Sequence, residues 1–172
     1  MRRHTPDAFD TAVQKGNLWL KDIEKAGKLR SRFQAYAVLR CVLHALRDCL
    51  PPAEAVKFSA QMPLLVKGVF FDGWKVTPKP LRLSREQFHA YVRHSLHDQA
   101  GVEPFRALKA VLTALYLHMG PAVLATLQLV LPREVHAEVR AALAEIYAEA
   151  VVQKAAAGGE WQASELGGPF GE

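Results

Sequence analysis

Shifted by 69 positions, residues 108–135 lie on residues 39–66 without a gap, and nine of the 28 paired positions are identical. The identities fall on helix-core residues and prolines: Leu39/Leu108, Val42/Val111, Leu43/Leu112, Ala45/Ala114, Leu46/Leu115, Pro52/Pro121 and Pro63/Pro132 are among them. The same offset reaches back through Tyr36/Phe105 and Ile23/Val92 to Trp19/Phe88. A fixed offset that preserves core positions and helix starts is the signature of a repeated supersecondary unit. The expected fold is therefore an all-α, duplicated helical bundle: two copies of a roughly 69-residue helical repeat, a C-terminal helix and a flexible tail.

Each copy divides in the same way. Phe9, Val13, Leu20 and Ile23 predict the apolar face of a first helix that starts near Thr5-Pro6. Ala35, Leu39, Val42, Leu43, Leu46 and Leu50 keep the three-and-four spacing of an amphipathic helix. Pro52 and Pro63 suit the first turns of two shorter helices, where a missing N–H costs little. Gly73 and the two prolines of "FDGWKVTPKP" rule out helix there, which makes this stretch the connection between copies. Ser84 with Gln87 predicts a capping box for the second copy, whose long helix repeats the stripe as Phe105, Leu108, Val111, Leu112 and Leu115. The boundaries read as one domain over residues 5–157: repeat one about 5–72, repeat two about 81–140 and an extension helix about 133–157. Residues 158–172 form the tail.

Charge is uneven along the chain. Residues 1–100 hold 17 Lys+Arg against 9 Asp+Glu, and residues 101–172 hold 5 against 8. That asymmetry permits contact between copies or with an anionic partner. A DNA-reading helix, however, should offer Arg, Lys, Asn or Gln near its start. After Pro51-Pro52 come Ala53, Glu54 and Ala55, and after Gly120-Pro121 come Ala122, Val123 and Leu124, so no sequence-specific nucleic-acid partner is expected. Residues 110–131 carry no formal charge, but His118, Gly120-Pro121 and Gln128 interrupt the run and its first-copy counterpart is polar, so no membrane span is expected. Cys41 and Cys49 lie eight residues apart in one helix, ~12 Å at 1.5 Å per residue and too far to bridge. Free thiols, with no export signal in "MRRHTPDAFD", fit a cytoplasmic location.

Trp19-Leu20-Lys21, Val38-Leu39-Arg40-x-Val42-Leu43, Arg47-Asp48-x-Leu50-Pro51, Gln61-Met62-Pro63, Phe70-Phe71 and Gly73-Trp74 together resemble the bacterial family known as domain of unknown function 2267. The likeness runs over roughly residues 9–140 and is most specific in the first repeat. It implies a small helical bacterial protein and carries no catalytic residue with it. From about Ala141 onward the chain departs from the pattern.

The second copy replaces Arg47, Asp48, Glu54 and Lys57 with Tyr116, Leu117, Val123 and Thr126. Such an apolar face needs a cover: the last helix, with its stripe Val135, Val139, Ala142, Leu143, Ile146 and Ala150, or another protein, including a second copy of this one. Tyr116, Leu117, Val123, Thr126, Val139 and Ile146 are the candidate interface. In the tail, Trp161, Leu166 and Phe170 on a polar, acidic strip suit a docking peptide.

Chemistry is hard to find. His94 and His97, with His89 nearby, lack matching carboxylate or thiol ligands, so no metal site is assigned. No phosphate loop, dinucleotide fingerprint or nucleophile elbow is present, and no catalytic residue or cofactor is assigned. The expected function is a noncatalytic protein-interaction module, self-associating or bound to a partner. The alternatives are a helical binder of a small apolar ligand, or an enzyme whose site follows no familiar motif.

Overall fold

The apolar stripe from Ala35 to Leu50 predicts a helix with one wet face, but the helix that forms over Arg32–Asp48 (α2) is buried on nearly every side. The reason is its position. In the computed structural model, which describes residues 6–96 and 101–159, α2 packs against helices from both halves of the chain. The other helices of the first half are α1 (Asp7–Ala26), α3 (Pro52–Ser59) and α4 (Leu64–Phe71). An irregular connection leads to α5 (Arg85–Ser95), α6 (Pro104–Met119), α7 (Pro121–Val130) and α8 (Arg133–Ala156). No strand occurs among the described residues.

Local chemistry sets the helix ends. Ser31 caps α2 by accepting the Gln34 amide at 3.2 Å, while Gln34 Oε1 accepts the Arg30 amide at 2.9 Å. Ser84 and Gln87 form the reciprocal capping box of α5. Pro52 and Pro121 occupy the first turns of α3 and α7. Gly120, at φ 83°, makes the sharp turn between α6 and α7 that an L-residue would resist.

Helices α2 and α6 lie side by side at the centre. Across the midline α1 packs on α6, α5 on α2, and α3 on α7. The core joins Trp19, Ile23, Leu43, Leu46 and Phe70 of the first half to Phe88, Leu108, Leu112, Leu124 and Val139 of the second. One expectation needs correcting: Phe9 and Val13 are 63% and 52% exposed, and the buried face of α1 is Ala12, Trp19 and Ile23.

Candidate functional site

Arg47 and Asp48, adjacent and oppositely charged, end α2. They are 3% and 7% exposed. The Arg47 guanidinium donates Nη1 to the carbonyls of Phe70 (2.8 Å) and Asp72 (3.0 Å), and Nε to Asp48 Oδ1 (2.9 Å). It thereby satisfies carbonyls at the end of α4, which lack a partner within that helix. Asp48 Oδ2 accepts Tyr91 Oη at 3.0 Å and lies 3.5 Å from Lys79 Nζ, while the Leu81 amide donates to the Asp48 carbonyl at 2.7 Å. This knot clamps the connection and α5 onto α2. Burial and the Asp48 charge push the Tyr91 phenol well above its ordinary pKa, so it remains a donor.

The positions 69 residues later behave differently, because α8 continues where α4 stops. Tyr116 meets no helix end; it packs edge-on against Tyr147 of α8, ring centroids 5.5 Å apart. Leu117, in the place of Asp48, is 59% exposed. Beside it a cleft of ≈ 740 Å³ opens between α1, α6 and α8, lined by Lys25, Lys28, Tyr116, Leu117, Ile146 and Glu149 among others. Lys109 closes one side by reaching Glu145 at 2.8 Å and Glu149 at 2.6 Å. Of the other candidate interface residues, Val139 and Ile146 are core side chains, 0% and 4% exposed. Val123 and Thr126 line a small hollow of ≈ 100 Å³ between α3 and α7. The six positions therefore do not form one surface. Trp161, Leu166 and Phe170 lie outside the described residues.

Sequence reasoning missed a second groove, in the first half. Val13, Gly16, Leu20, Tyr36, Leu65 and Val69 line an apolar trough of ≈ 270 Å³ between α1, α2 and α4, floored by Leu39 and Val66. Phe9 stands one turn before Val13 on α1, so the apolar surface extends past the trough. The signal lay in the offset itself: Gly16, Leu20 and Val69 correspond to Arg85, His89 and Glu138. In the second half these three make an ionic cluster, with Glu138 2.6 Å from Arg85 Nε and 2.7 Å from His89 Nε2, and Glu138 is 5% exposed.

Titratable side chains gather around Asp48, Glu138 and Lys109, each set engaged within itself. Among the described residues no three His, Cys, Asp or Glu side chains stand close enough to hold a metal ion; His94 is exposed and His97 is outside the described residues. Burial raises the thiol of Cys41 to about 11 and that of Cys49 to about 12, so neither is a thiolate near neutrality. His118 stacks on Trp19 with centroids 5.0 Å apart and sits 2.7 Å from Asp22, which ties α6 to α1. Among the described residues no helix is long and apolar enough to cross a membrane.

The site is thus a pair of grooves on an all-helical bundle, one apolar and one rimmed by charge. Residues 16–138 match the model of a family described as "Uncharacterized conserved protein (DUF2267)"; this is well over half of the chain, and the chain belongs to that family. The matched span ends at Glu138, so the α8 wall of the cleft, from Ile146 to Gln153, lies beyond it. No curated protein matches the chain.

Proposed function

We propose that this chain is a noncatalytic protein-interaction module that receives an apolar helix in the α1/α2/α4 groove. One observation carries the reading: Val13, Tyr36 and Leu65 are 52%, 45% and 45% exposed around a continuous apolar floor. Large apolar patches on a folded surface mark interaction sites. A groove between helices takes the i, i+3, i+4 side chains of a partner helix. At ≈ 270 Å³ the trough is smaller than the roughly 300–1,000 Å³ of sites that enclose a small molecule, which favours protein side chains over a free apolar ligand.

We read the bundle as a duplication, and the groove as a specialisation of its first copy. Helices α3 and α7 start at Pro52 and Pro121, α4 and α8 start at Leu64 and Arg133, and α1 and α5 end at Ala26 and Ser95; each pair is 69 residues apart. Contacts between the halves come in exchanged pairs, α1 on α6 with α5 on α2, or join equivalent helices, α2 on α6 and α3 on α7. Two copies related by a two-fold axis produce that pattern. The family resemblance and the two unbridged thiols support a bacterial, cytoplasmic setting.

A photo-crosslinking amino acid at Leu65, with the exposed Val152 as control, tests the reading in native lysate, beside the solution mass of wild type and Leu65→Glu. A protein adduct formed at position 65 alone supports it, whether the captured chain is a second copy or another protein. No adduct at position 65, with a solution mass that Leu65→Glu leaves unchanged, sinks it.

A further inference from the structure

We infer that the cleft between α1, α6 and α8 is the docking site of this chain's own residues 160–172. The inference rests on the duplication proposed above and on three observations. First, the equivalent space in the first half is closed by the chain that leaves the fourth helix. The connection after α4 lays Leu81 and Lys79 on Asp48, and Tyr91 reaches the same carboxylate. In the second half Asp22 replaces Tyr91 and Leu117 replaces Asp48, and α8 runs on to Ala156 instead of crossing over. The cleft is what remains, with Leu117 59% exposed on its floor. By the offset Lys79 and Leu81 correspond to Ala148 and Ala150, inside α8, so no crossing segment covers Leu117 among the described residues.

Second, the exit from α8 turns that chain off the helix axis. The Gly158 amide donates to Ala155 and the Gly159 amide to Lys154, both at 3.1 Å, with Gly158 at φ 72°. This is the reversing motif that a glycine just past a helix end permits. Gln153, Ala150 and Glu149 of the cleft wall lie within about two turns of the reversal. The thirteen residues from 160 to 172, at ~3.3 Å each when extended, reach ~40 Å, enough to traverse the cleft.

Third, the charges match. Asp22 is engaged by His118, and Glu149 by Lys109. Lys25 and Lys28 on the α1 wall are exposed and have no ion pair among the described residues. Residues 160–172 carry Glu160, Glu165 and Glu172 and no Lys or Arg, with Trp161, Leu166 and Phe170 between them. Docking sets the apolar side chains on Leu117 and Tyr116 and the carboxylates toward Lys25 and Lys28.

The experiment places a nitroxide on Lys21→Cys, on α1 beside the cleft, in the isotopically labelled full chain. Cys41 and Cys49 are buried and stay unlabelled. The expected result is a loss of amide signal intensity graded along residues 160–172 and strongest around Trp161–Leu166. The loss should be relieved by Leu117→Glu and by Lys25→Glu with Lys28→Glu, while the helix signals keep their positions. Weak, uniform loss that neither variant changes overturns the inference. So does loss seen only when nitroxide-bearing and isotopically labelled chains are mixed, because the segment then docks on another copy. The broadening reports where residues 160–172 sit however the halves arose. Failure of the duplication, seen as halves that do not superpose in a solution structure, is therefore a separate outcome.

Discussion

At the end of α2 the first half buries Arg47 and Asp48; 69 residues later, on α6, the second half has Tyr116 and Leu117. Between α1, α2 and α4 the contrast is inverted: Gly16, Leu20 and Val69 leave an apolar groove, and the residues 69 positions later, Arg85, His89 and Glu138, form an ionic cluster. One difference in chain path accounts for the first contrast. Where α4 stops, its last carbonyls need a donor and Arg47 supplies it; where α8 continues, those carbonyls bond within the helix, and an aromatic ring packing on Tyr147 is the better use of the site. The second contrast has no such local cause. Glu138 is desolvated and held by two partners, whereas nothing among the described residues covers the apolar trough.

The largest effect should come from breaking the Arg47 knot. Arg47→Met leaves two carbonyls without a donor and Asp48 without its nearest cation, and removing one partner of a buried ion pair costs about 3–5 kcal/mol. Transplanting the second half's residues, as Arg47→Tyr with Asp48→Leu, should cost at least as much as Arg47→Met alone, since the two carbonyls still lack their donor and the buried Lys79 ammonium and Tyr91 hydroxyl lose Asp48. Urea unfolding followed by circular dichroism measures both. A single substitution costing less than about 1 kcal/mol would mean that the connection is held by Trp74 and Leu83 packing instead.

Glu138→Gln comes next. It keeps the shape and removes the charge that faces Arg85 and His89, and a hydrogen bond to a charged group contributes about 1.5–3 kcal/mol. Because the Arg85 side chain is 64% exposed, the lower end of that range is expected. A loss indistinguishable from zero in the same unfolding assay would leave the charged and apolar grooves energetically equivalent and blur the contrast.

A smaller difference concerns pH. His44 Nε2 donates to the Val69 carbonyl at 2.7 Å, and 69 residues later stands Thr113, whose hydroxyl donates to the Lys109 carbonyl. Burial lowers the His44 pKa below the ordinary 6.5; the Val69 carbonyl opposes this, and Arg47 and Arg40 add to the lowering. The unfolded chain therefore takes up this proton at a higher pH than the folded one. The His44 contribution is complete above the unfolded pKa, falls away as the pH drops below 6.5, and levels off below the folded value. His44→Thr should lower stability at pH 7.5 and flatten the slope between 7 and 5 relative to wild type. An unchanged slope would show that His44 is not the group responsible.

Much of this fold could be read from the residues. The stripe from Ala35 to Leu50, the prolines at Pro52 and Pro121 and the Ser84–Gln87 box each act within a turn or two of helix, where spacing and capping decide the outcome. The burial of Arg47 could not be read that way. A pattern counts arginine as a solvent-facing residue, and only the meeting of α2 with the end of α4 turns it into a cap. Periodicity also identified Phe9 and Val13 as apolar without revealing that nothing in the described chain lies over them. Conversely Val139 and Ile146, candidates for an interface, belong to the core because α8 packs on both α6 and α5. The groove was encoded in the difference between the halves, at Gly16, Leu20 and Val69, and these positions carry no chemistry that would single them out.

Gly16 gives the finest test of that difference. It sits inside α1, where glycine costs ~1 kcal/mol relative to alanine, and its counterpart is Arg85. An added Cβ would stand 3.3 Å from Leu65 Cδ1, a close contact with the far end of a side chain that is itself 45% exposed and able to turn aside. Gly16→Ala should therefore stabilise the chain by up to ~1 kcal/mol in urea unfolding, since the helix gain exceeds the cost of moving Leu65. The same methyl group narrows the trough at its middle, so crosslinking from position 65 should fall while stability rises. A variant that gains stability and loses its adduct separates the two roles of this helix: the glycine is then costing the fold something in order to keep the groove open. If both quantities rise, or both are unchanged, the glycine serves neither the groove nor a partner, and the contrast between apolar and charged grooves reduces to packing.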